Sequence, residues 1–313
     1  MFDRYVIVDW SANGKPKRRQ DSIWVRSLGT VDDRHDTVDN PSTRVAARDL
    51  VRDLLVSAVA RNERVLVGFD FPYGYPRGFA AALGLPGEPW RASWDYLAAE
   101  IVDGPRNANN RFAVASAING RIGHHAFWGC PRQRVFEHLS YRKDKVQYLV
   151  APGEVGLAEW RESERAFLAA GIAPQPVWKL MGVGSVGSQA LVGIPVVAAL
   201  RDDPALRSCS AVWPFETAVP NLAPNHRAIV HAEIWPSIVN VGPAMQRAEN
   251  AGKVKDQVQV EQLALHFRAL DDGTVLRDVF AAAPSDATEE GWILGNRVQG
   301  RVTSRRVSLD ADA

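Results

Sequence analysis

Three short, largely apolar runs along the chain each end in an acidic residue. They are residues 5–8 before Asp9, residues 65–69 before Asp70 and residues 228–232 before Glu233. Apolar runs of this length are typical of strands that are buried on both faces of a sheet. A lone Asp at a strand end usually bonds the backbone N–H groups of the following turn. Because the pattern occurs three times, we expect the three acids to share a role.

Between these runs the apolar spacing becomes helical. A helix is predicted within residues 41–62 from the spacing of Val45, Leu50, Leu54, Leu55 and Val59. Residues 79–102 are also predicted to be helical, and Ile23–Val25 is predicted to return beside the first strand as its hairpin partner. These elements together predict an α/β architecture.

A fourth acid, Asp256, is predicted to open a helix that continues to about residue 269. Val260, Leu263 and Phe267 follow it by four, seven and eleven residues, so all four side chains lie on one face. Favourable interaction with the helix dipole explains an acid in the first turn, but it does not explain an inward orientation. We therefore group Asp256 with the strand-end acids.

Composition limits the possible functions. The 313 residues include 37 basic and 36 acidic side chains, which give a net charge of +1. No overall field attracts nucleic acid or an acidic membrane, so any polyanion site has to be local. Two cysteines exclude a disulfide framework and a four-thiolate zinc site. The absence of a signal-like segment and of an 18-residue apolar span predicts a cytoplasmic protein that does not enter a membrane.

The four acids predict a metal site. Carboxylate oxygens are the ligands that Mg²⁺ and Mn²⁺ prefer, and acids from separate elements can hold two such ions about 4 Å apart on a phosphodiester. Several carboxylates in one pocket would also raise one another's pKa values unless a cation neutralised them. The predicted catalytic and metal-binding residues are Asp9, Asp70, Glu233 and Asp256.

A glycine-rich segment, Gly182–Gly187, satisfies the G-x-G-x-x-G pattern between a possible strand at 177–181 and a possible helix. Pro195 and the lack of an acid about 20 residues later argue against a dinucleotide site. Close backbone packing and contact with a substrate phosphate are the other two interpretations, and all three stay open. The predicted substrate-binding residues are Ser11, Lys179, Ser185, Ser188, Gln189 and Glu216.

The motifs that surround the acids resemble those of DUF429, a family of predicted nucleases assigned to the ribonuclease H-like superfamily. They are residues 5–11, residues 68–76 with Asp70 before a proline-glycine turn, Glu233-Ile234-Trp235-Pro236, and the late helical Asp256. The resemblance covers some forty residues. It implies a ribonuclease H-like mixed central sheet flanked by helices, with the four acids binding metal ions for phosphodiester hydrolysis.

The predicted organisation is one domain over residues 1–283 with an insertion around 104–175, followed by a partly mobile C-terminal segment at 284–313. The basic stretch from 127 to 149 is either an insertion or lid that contacts substrate or an exposed segment without a role in catalysis. Nucleic acid or a nucleotide is the expected partner. Two alternatives remain: a nucleotide-binding enzyme that acts on a small molecule through Gly182–Gly187, and a non-catalytic binding protein.

Overall fold

A mixed seven-stranded sheet lies at the centre of the computed structural model, which describes residues 1–30, 34–148, 156–220, 228–285 and 287–296. The strands are β1 (Arg4–Asp9), β2 (Trp24–Gly29), β3 (Thr37–Asp39), β4 (Arg64–Phe69), β5 (Ser210–Trp213), β6 (Ala228–Ile234) and β7 (Ile293–Leu294). Their order is β3-β2-β1-β4-β6-β5, and β7 also pairs with β6. The predicted α/β class with a mixed central sheet is therefore confirmed.

Strand direction brings the predicted acids to one edge of the sheet. β2 is antiparallel to β1 and β3, whereas β1, β4, β5, β6 and β7 run parallel to one another. Val8 is level with Phe69, and Phe69 is level with Glu233. The carboxyl ends of β1, β4 and β6 consequently lie side by side, as expected where ligand sites form in open α/β sheets.

Helices flank this sheet on both faces. They are α1 (Arg44–Ala60), α2 (Phe79–Ala82), α3 (Pro89–Glu100), α4 (Arg111–Ile122), α5 (Glu162–Ala169), α6 (Val186–Arg201), α7 (Gly242–Met245), α8 (Lys255–Asp272) and α9 (Leu276–Ala281). On one face, Val260 and Leu263 of α8 pack against Ile7 of β1. On the other, α1, α3 and α6 contribute to a larger core that includes Val6 and Val8. Both faces of β1 are therefore buried, as its continuous apolar run predicts.

Three local expectations were wrong. The helix predicted over 79–102 is divided into α2 and α3, because Gly84 and Gly87 adopt left-handed backbone conformations between them. Residues 177–181 form a turn with one isolated bridge from Lys179 to Trp128 instead of a strand. Pro195 does not end its helix, since α6 continues through it to Arg201.

The chain after α9 returns to the sheet. β7 extends the pairing of β6 at Glu233 and Ile234, and Trp292 beside it is almost fully buried. Residues 297–313 of the predicted mobile segment lie outside the described residues. The predicted insertion contains α4 and α5, and its residues 149–155 are likewise outside them. Across the parts of the chain that are described, no helix combines the length and apolar composition required to cross a membrane.

Candidate active site

Three of the four predicted acids line one pocket. Asp9 ends β1, Asp70 follows β4 directly, and Asp256 lies in the first turn of α8. All three border a pocket of about 640 Å³ at the carboxyl edge of the sheet, and Asp21 contributes a fourth carboxylate to its lining. The side chains arrive from separate elements of the fold, which is the convergence that the sequence motifs predict.

Backbone amides fix the orientation of two of these carboxylates. The N–H of Trp10 donates to Oδ1 of Asp70 at 2.6 Å, and the N–H of Asp21 donates to Oδ2 of Asp256 at 2.6 Å. Asp9 lies close enough to Asp70 for the charge of Asp70 to act on it. The main chain thus holds Asp70 and Asp256 in place beside Asp9.

Burial and mutual repulsion favour protonation of this cluster. Burial raises the pKa of Asp9 well above its usual range, and the nearby charges of Asp70 and Asp256 raise it further. Burial also raises the pKa of Asp70 to about 7, although the hydrogen bond from Trp10 opposes the change, and it raises the pKa of Asp256. Like charges in a poorly solvated pocket keep a proton unless a cation replaces it.

The donor chemistry of the cluster suits a hard cation. Among the described residues, no group of three or more His, Cys, Asp or Glu side chains is close enough together to hold a metal ion by itself. Mg²⁺ is commonly bound through one or two carboxylates, with water and substrate phosphate completing the shell. Asp9 and Asp70 fit that requirement, because they line one pocket and the charge of Asp70 acts on Asp9, so a cation there would relieve their repulsion.

Glu233, the fourth predicted ligand, does not line this pocket. Its Oε1 and Oε2 accept hydrogen bonds from the guanidinium of Arg161 at 2.6 and 2.7 Å, and Oε2 also accepts one from the N–H of Tyr73. Arg161 is fully buried and binds Glu164 as well. Glu233 instead borders a separate cavity of about 40 Å³, which Asp70 also touches.

Side-chain alternation along the strands explains this separation. Ile7 packs on the face that carries α8, and Asp9, two residues later, points the same way. In β6, the residues packed on that face are Ala232 and Ile234. Glu233 lies between them and therefore points to the opposite face. The apolar run before an acid predicts the strand end, but it does not reveal which face the acid occupies.

The predicted substrate-binding residues divide into two groups. Ser11, Ser185, Ser188 and Gln189 line the pocket with the acids. Lys179 does not, since its Nζ donates to Gln175 and to the carbonyl of Val183. Glu216 is also remote from the pocket lining and pairs with Arg201.

The glycine-rich segment forms one wall of the pocket. Residues 180–185 line it, and α6 begins at Val186. A Cβ at Gly187 would lie 2.1 Å from the carbonyl oxygen of Val177, so close backbone packing explains that glycine. Without a strand before it, the segment lacks the strand-turn-helix context of a dinucleotide fingerprint.

Arg111 is a pocket residue that the sequence did not indicate. It begins α4, and its side chain donates to Ser188 Oγ at 2.9 Å and to Asn109 Oδ1 at 2.8 Å. Burial, together with the nearby charge of Arg44, lowers its pKa to about 10. Within the described parts of the chain, Arg111 forms no ion pair with a carboxylate. The pocket lining therefore contains a partly desolvated arginine together with the acids.

Comparisons of this chain with protein-family models, curated proteins and solved structures found no match.

Proposed function

We propose that this protein is a metal-dependent phosphodiester hydrolase that acts on nucleic acid. The observation that carries the proposal is the shared pocket of Asp9, Asp70 and Asp256, with Arg111 in the same lining. Carboxylates whose repulsion only a retained proton or a cation can relieve suit a divalent cation. Arg111, which has no acidic partner among the described residues, suits a phosphate. The mixed sheet is compatible with the resemblance to DUF429, and membership of that ribonuclease H-like family is part of the proposal.

In this proposal two of the acids bind the metal ion and the third accepts a proton. A bound Mg²⁺ or Mn²⁺ would neutralise phosphate charge and activate water. Asp9 and Asp70 would hold the cation, and the N–H of Trp10 keeps the Asp70 carboxylate oriented. Burial raises the pKa of Asp256. A higher pKa makes this carboxylate a stronger base, so Asp256 would accept the proton of the attacking water.

Arg111 and the glycine-rich wall of the pocket position the substrate. Arg111 binds a phosphate through its guanidinium, whose Nε is oriented by Ser188. The hydroxyl of Ser188 in turn donates to the carbonyl of Leu180 at 2.6 Å, so the arginine is anchored to the glycine-rich wall. Gln189 donates to the carbonyl of Trp10 at 2.5 Å and ties this wall to the end of β1. The two walls are therefore held in a fixed relation.

A cleavage assay with matched variants tests the proposal. Full-length protein with Mg²⁺ or Mn²⁺ is incubated with single-stranded RNA and DNA, their duplexes and an RNA–DNA hybrid. We expect cleavage of at least one substrate, its loss in Asp9→Asn, and its retention in Asp53→Asn, which removes an exposed acid on α1. No cleavage by the wild-type protein with either metal would remove the proposal.

A second function uses the same pocket. Residues 180–185 line the same pocket as the acids, so a nucleotide phosphate would lie there during chemistry on a small molecule. Thermal shifts with ATP, GTP and NAD discriminate this function, because a ligand at 100 times its dissociation constant adds about 2.7 kcal/mol to stability. Stabilisation by one nucleotide, without cleavage of any polynucleotide, favours the second function.

A further inference from the structure

A second pocket adjoins the acidic one and has the opposite charge. This basic pocket has a volume of about 490 Å³ and is lined by Trp128, Gly129, Arg132, Tyr141, Arg142, Lys143, Met181 and Gly182. Met181 and Gly182 also line the acidic pocket, so the two pockets meet at these residues. Among the described residues, the lining of the basic pocket contains three cations and no acid.

Two of the three cations in this pocket are available for an anionic ligand. Arg132 and Arg142 are exposed, and among the described residues neither takes part in an ion pair, whereas Lys143 pairs with Glu159. The guanidinium of Arg132 lies 4.5 Å from the centre of the Tyr141 ring. Arg132 thus lies on an aromatic ring, and no carboxylate of the described residues pairs with it.

Aromatic surface accompanies this charge. Tyr141 is 40% exposed, and Trp128 contributes a second ring to the lining. Cationic grooves with aromatic side chains are the usual binding surface for single-stranded nucleic acid, because phosphates pair with the cations while unstacked bases lie on the rings. Bases inside a duplex cannot reach such rings.

We infer that the basic pocket binds one nucleotide of a single-stranded nucleic acid whose neighbouring phosphate lies in the acidic pocket. This inference rests on the proposed function, since it names the substrate class of the same site. A cavity of this size accommodates a group as large as a nucleotide. The strand crosses from one pocket to the other at Met181 and Gly182, where Met181 is 44% exposed.

Binding is measured separately from cleavage. Fluorescence anisotropy follows a labelled single strand of about 12 nucleotides, and a duplex of the same length, on the full chain in EDTA. We expect the single strand to bind more tightly than the duplex. Phosphate contacts to Arg111, Arg132 and Arg142 give a slope of about −2.1 for log affinity against log salt, and Arg132→Ala/Arg142→Ala should reduce it to about −0.7 and remove at least about tenfold of the affinity.

Matched variants identify the source of any loss. Arg207→Ala/Arg277→Ala makes the same charge change at exposed residues outside both pocket linings and should leave affinity unchanged. Tyr141→Ala should lower affinity about fivefold or more, and Tyr141→Phe, which keeps the ring, should stay within about twofold of wild type. Equal losses in both double variants, or equal binding of duplex and single strand, would overturn the inference.

A small substrate separates this inference from the proposed function. Bis(p-nitrophenyl) phosphate cannot span both pockets, so with Mn²⁺ we expect its hydrolysis to persist in Arg132→Ala/Arg142→Ala and to disappear in Asp9→Asn. Single-strand binding without hydrolysis of any phosphodiester refutes the hydrolase and leaves the basic pocket as a binding site. Hydrolysis without a single-strand preference refutes the basic pocket and keeps the hydrolase.

Discussion

The backbone N–H of Trp10 donates to Oδ1 of Asp70 at 2.6 Å, so the residue that follows the first acid holds the second acid in place. This contact is possible because β1 and β4 are parallel neighbours whose ends are level. The two acids therefore lie beside each other in the lining of one pocket, and the charge of Asp70 acts on Asp9. The geometry creates a repulsion that either a proton or a cation can relieve.

Replacement of Asp70 by Asn should stabilise the metal-free protein at high pH. An acid whose pKa is raised from 3.8 to about 7 by folding favours the folded state only while protonated, so this contribution declines as pH rises from about 4 to about 7. Asn carries no charge, so the substitution removes the part of the pH-dependent loss of stability that Asp70 causes. We expect Asp70→Asn to gain about 1–3 kcal/mol at pH 8 after allowance for partial solvent exposure.

Urea unfolding at pH 4.5 and pH 8, in EDTA, checks this expectation. The gain should be small at pH 4.5, where the Asp70 carboxyl of the folded wild-type protein remains protonated. Asp53→Asn is the control, because this acid is exposed on α1 and its variant should show no comparable pH dependence. An equal stability change at both pH values would contradict the raised pKa.

Mn²⁺ or Mg²⁺ should stabilise the wild-type protein more at pH 8 than at pH 5.5. The cation competes with the proton held between Asp9 and Asp70, so metal binding releases protons and strengthens as pH rises. At 100 times its dissociation constant the cation should add about 2.7 kcal/mol. Thermal denaturation with and without metal measures the effect, and Asp9→Asn should lose it. A metal shift of the same size in Asp9→Asn would exclude the acid pair as the binding site.

Glu233→Gln should lower stability without removing the metal effect. The substitution breaks a buried ion pair, but Arg161 keeps its bond to Glu164, so we expect a cost of about 1–2 kcal/mol. Arg161→Gln leaves two buried carboxylates without their cation and should cost at least about 3 kcal/mol. Urea unfolding gives both values. Loss of metal-dependent stabilisation in Glu233→Gln would contradict this expectation and indicate that Glu233 is a metal ligand.

Local sequence patterns were sufficient for the elements that carry the acids. The apolar runs before Asp9 and Asp70 give buried strands, and the spacing after Asp256 gives a helix with an inward face. The strands depend on continuous apolar runs and the helix on a period of 3.6 residues, and both patterns can be read directly from the chain. The position of these acids around one pocket then follows from parallel strand pairing.

Other features depend on relations between distant segments. Glu233 follows an apolar run just as Asp70 does. Side-chain alternation along β6, however, points Glu233 toward Arg161, which is 72 residues away in the chain. Arg111 follows a polar loop without a distinctive motif, and its role is visible only through Ser188 on another helix. Similarly, the turn at 177–181 is apolar enough to resemble a strand. Tertiary contacts decide these cases, and local propensity does not encode them.

Arg111→Gln should impair substrate use while leaving the protein folded. Burial lowers the pKa of the guanidinium to about 10, which means that the pocket destabilises this positive charge in the absence of an anion. Removal of the charge compensates in part for the lost bonds to Ser188 and Asn109, so stability should change by less than about 1 kcal/mol. Loss of a charge-assisted bond to phosphate should lower kcat/KM by about 10- to 100-fold.

Steady-state cleavage and urea unfolding of the same preparations separate the two effects. Arg106→Gln, at an exposed residue of the loop before α4, removes the same charge outside the pocket lining and should retain wild-type kinetics. Inorganic phosphate should inhibit the wild-type protein more strongly than Arg111→Gln if the guanidinium binds the phosphate group. Unchanged kcat/KM together with a large loss of stability would instead assign Arg111 to the support of Ser188 and the glycine-rich wall.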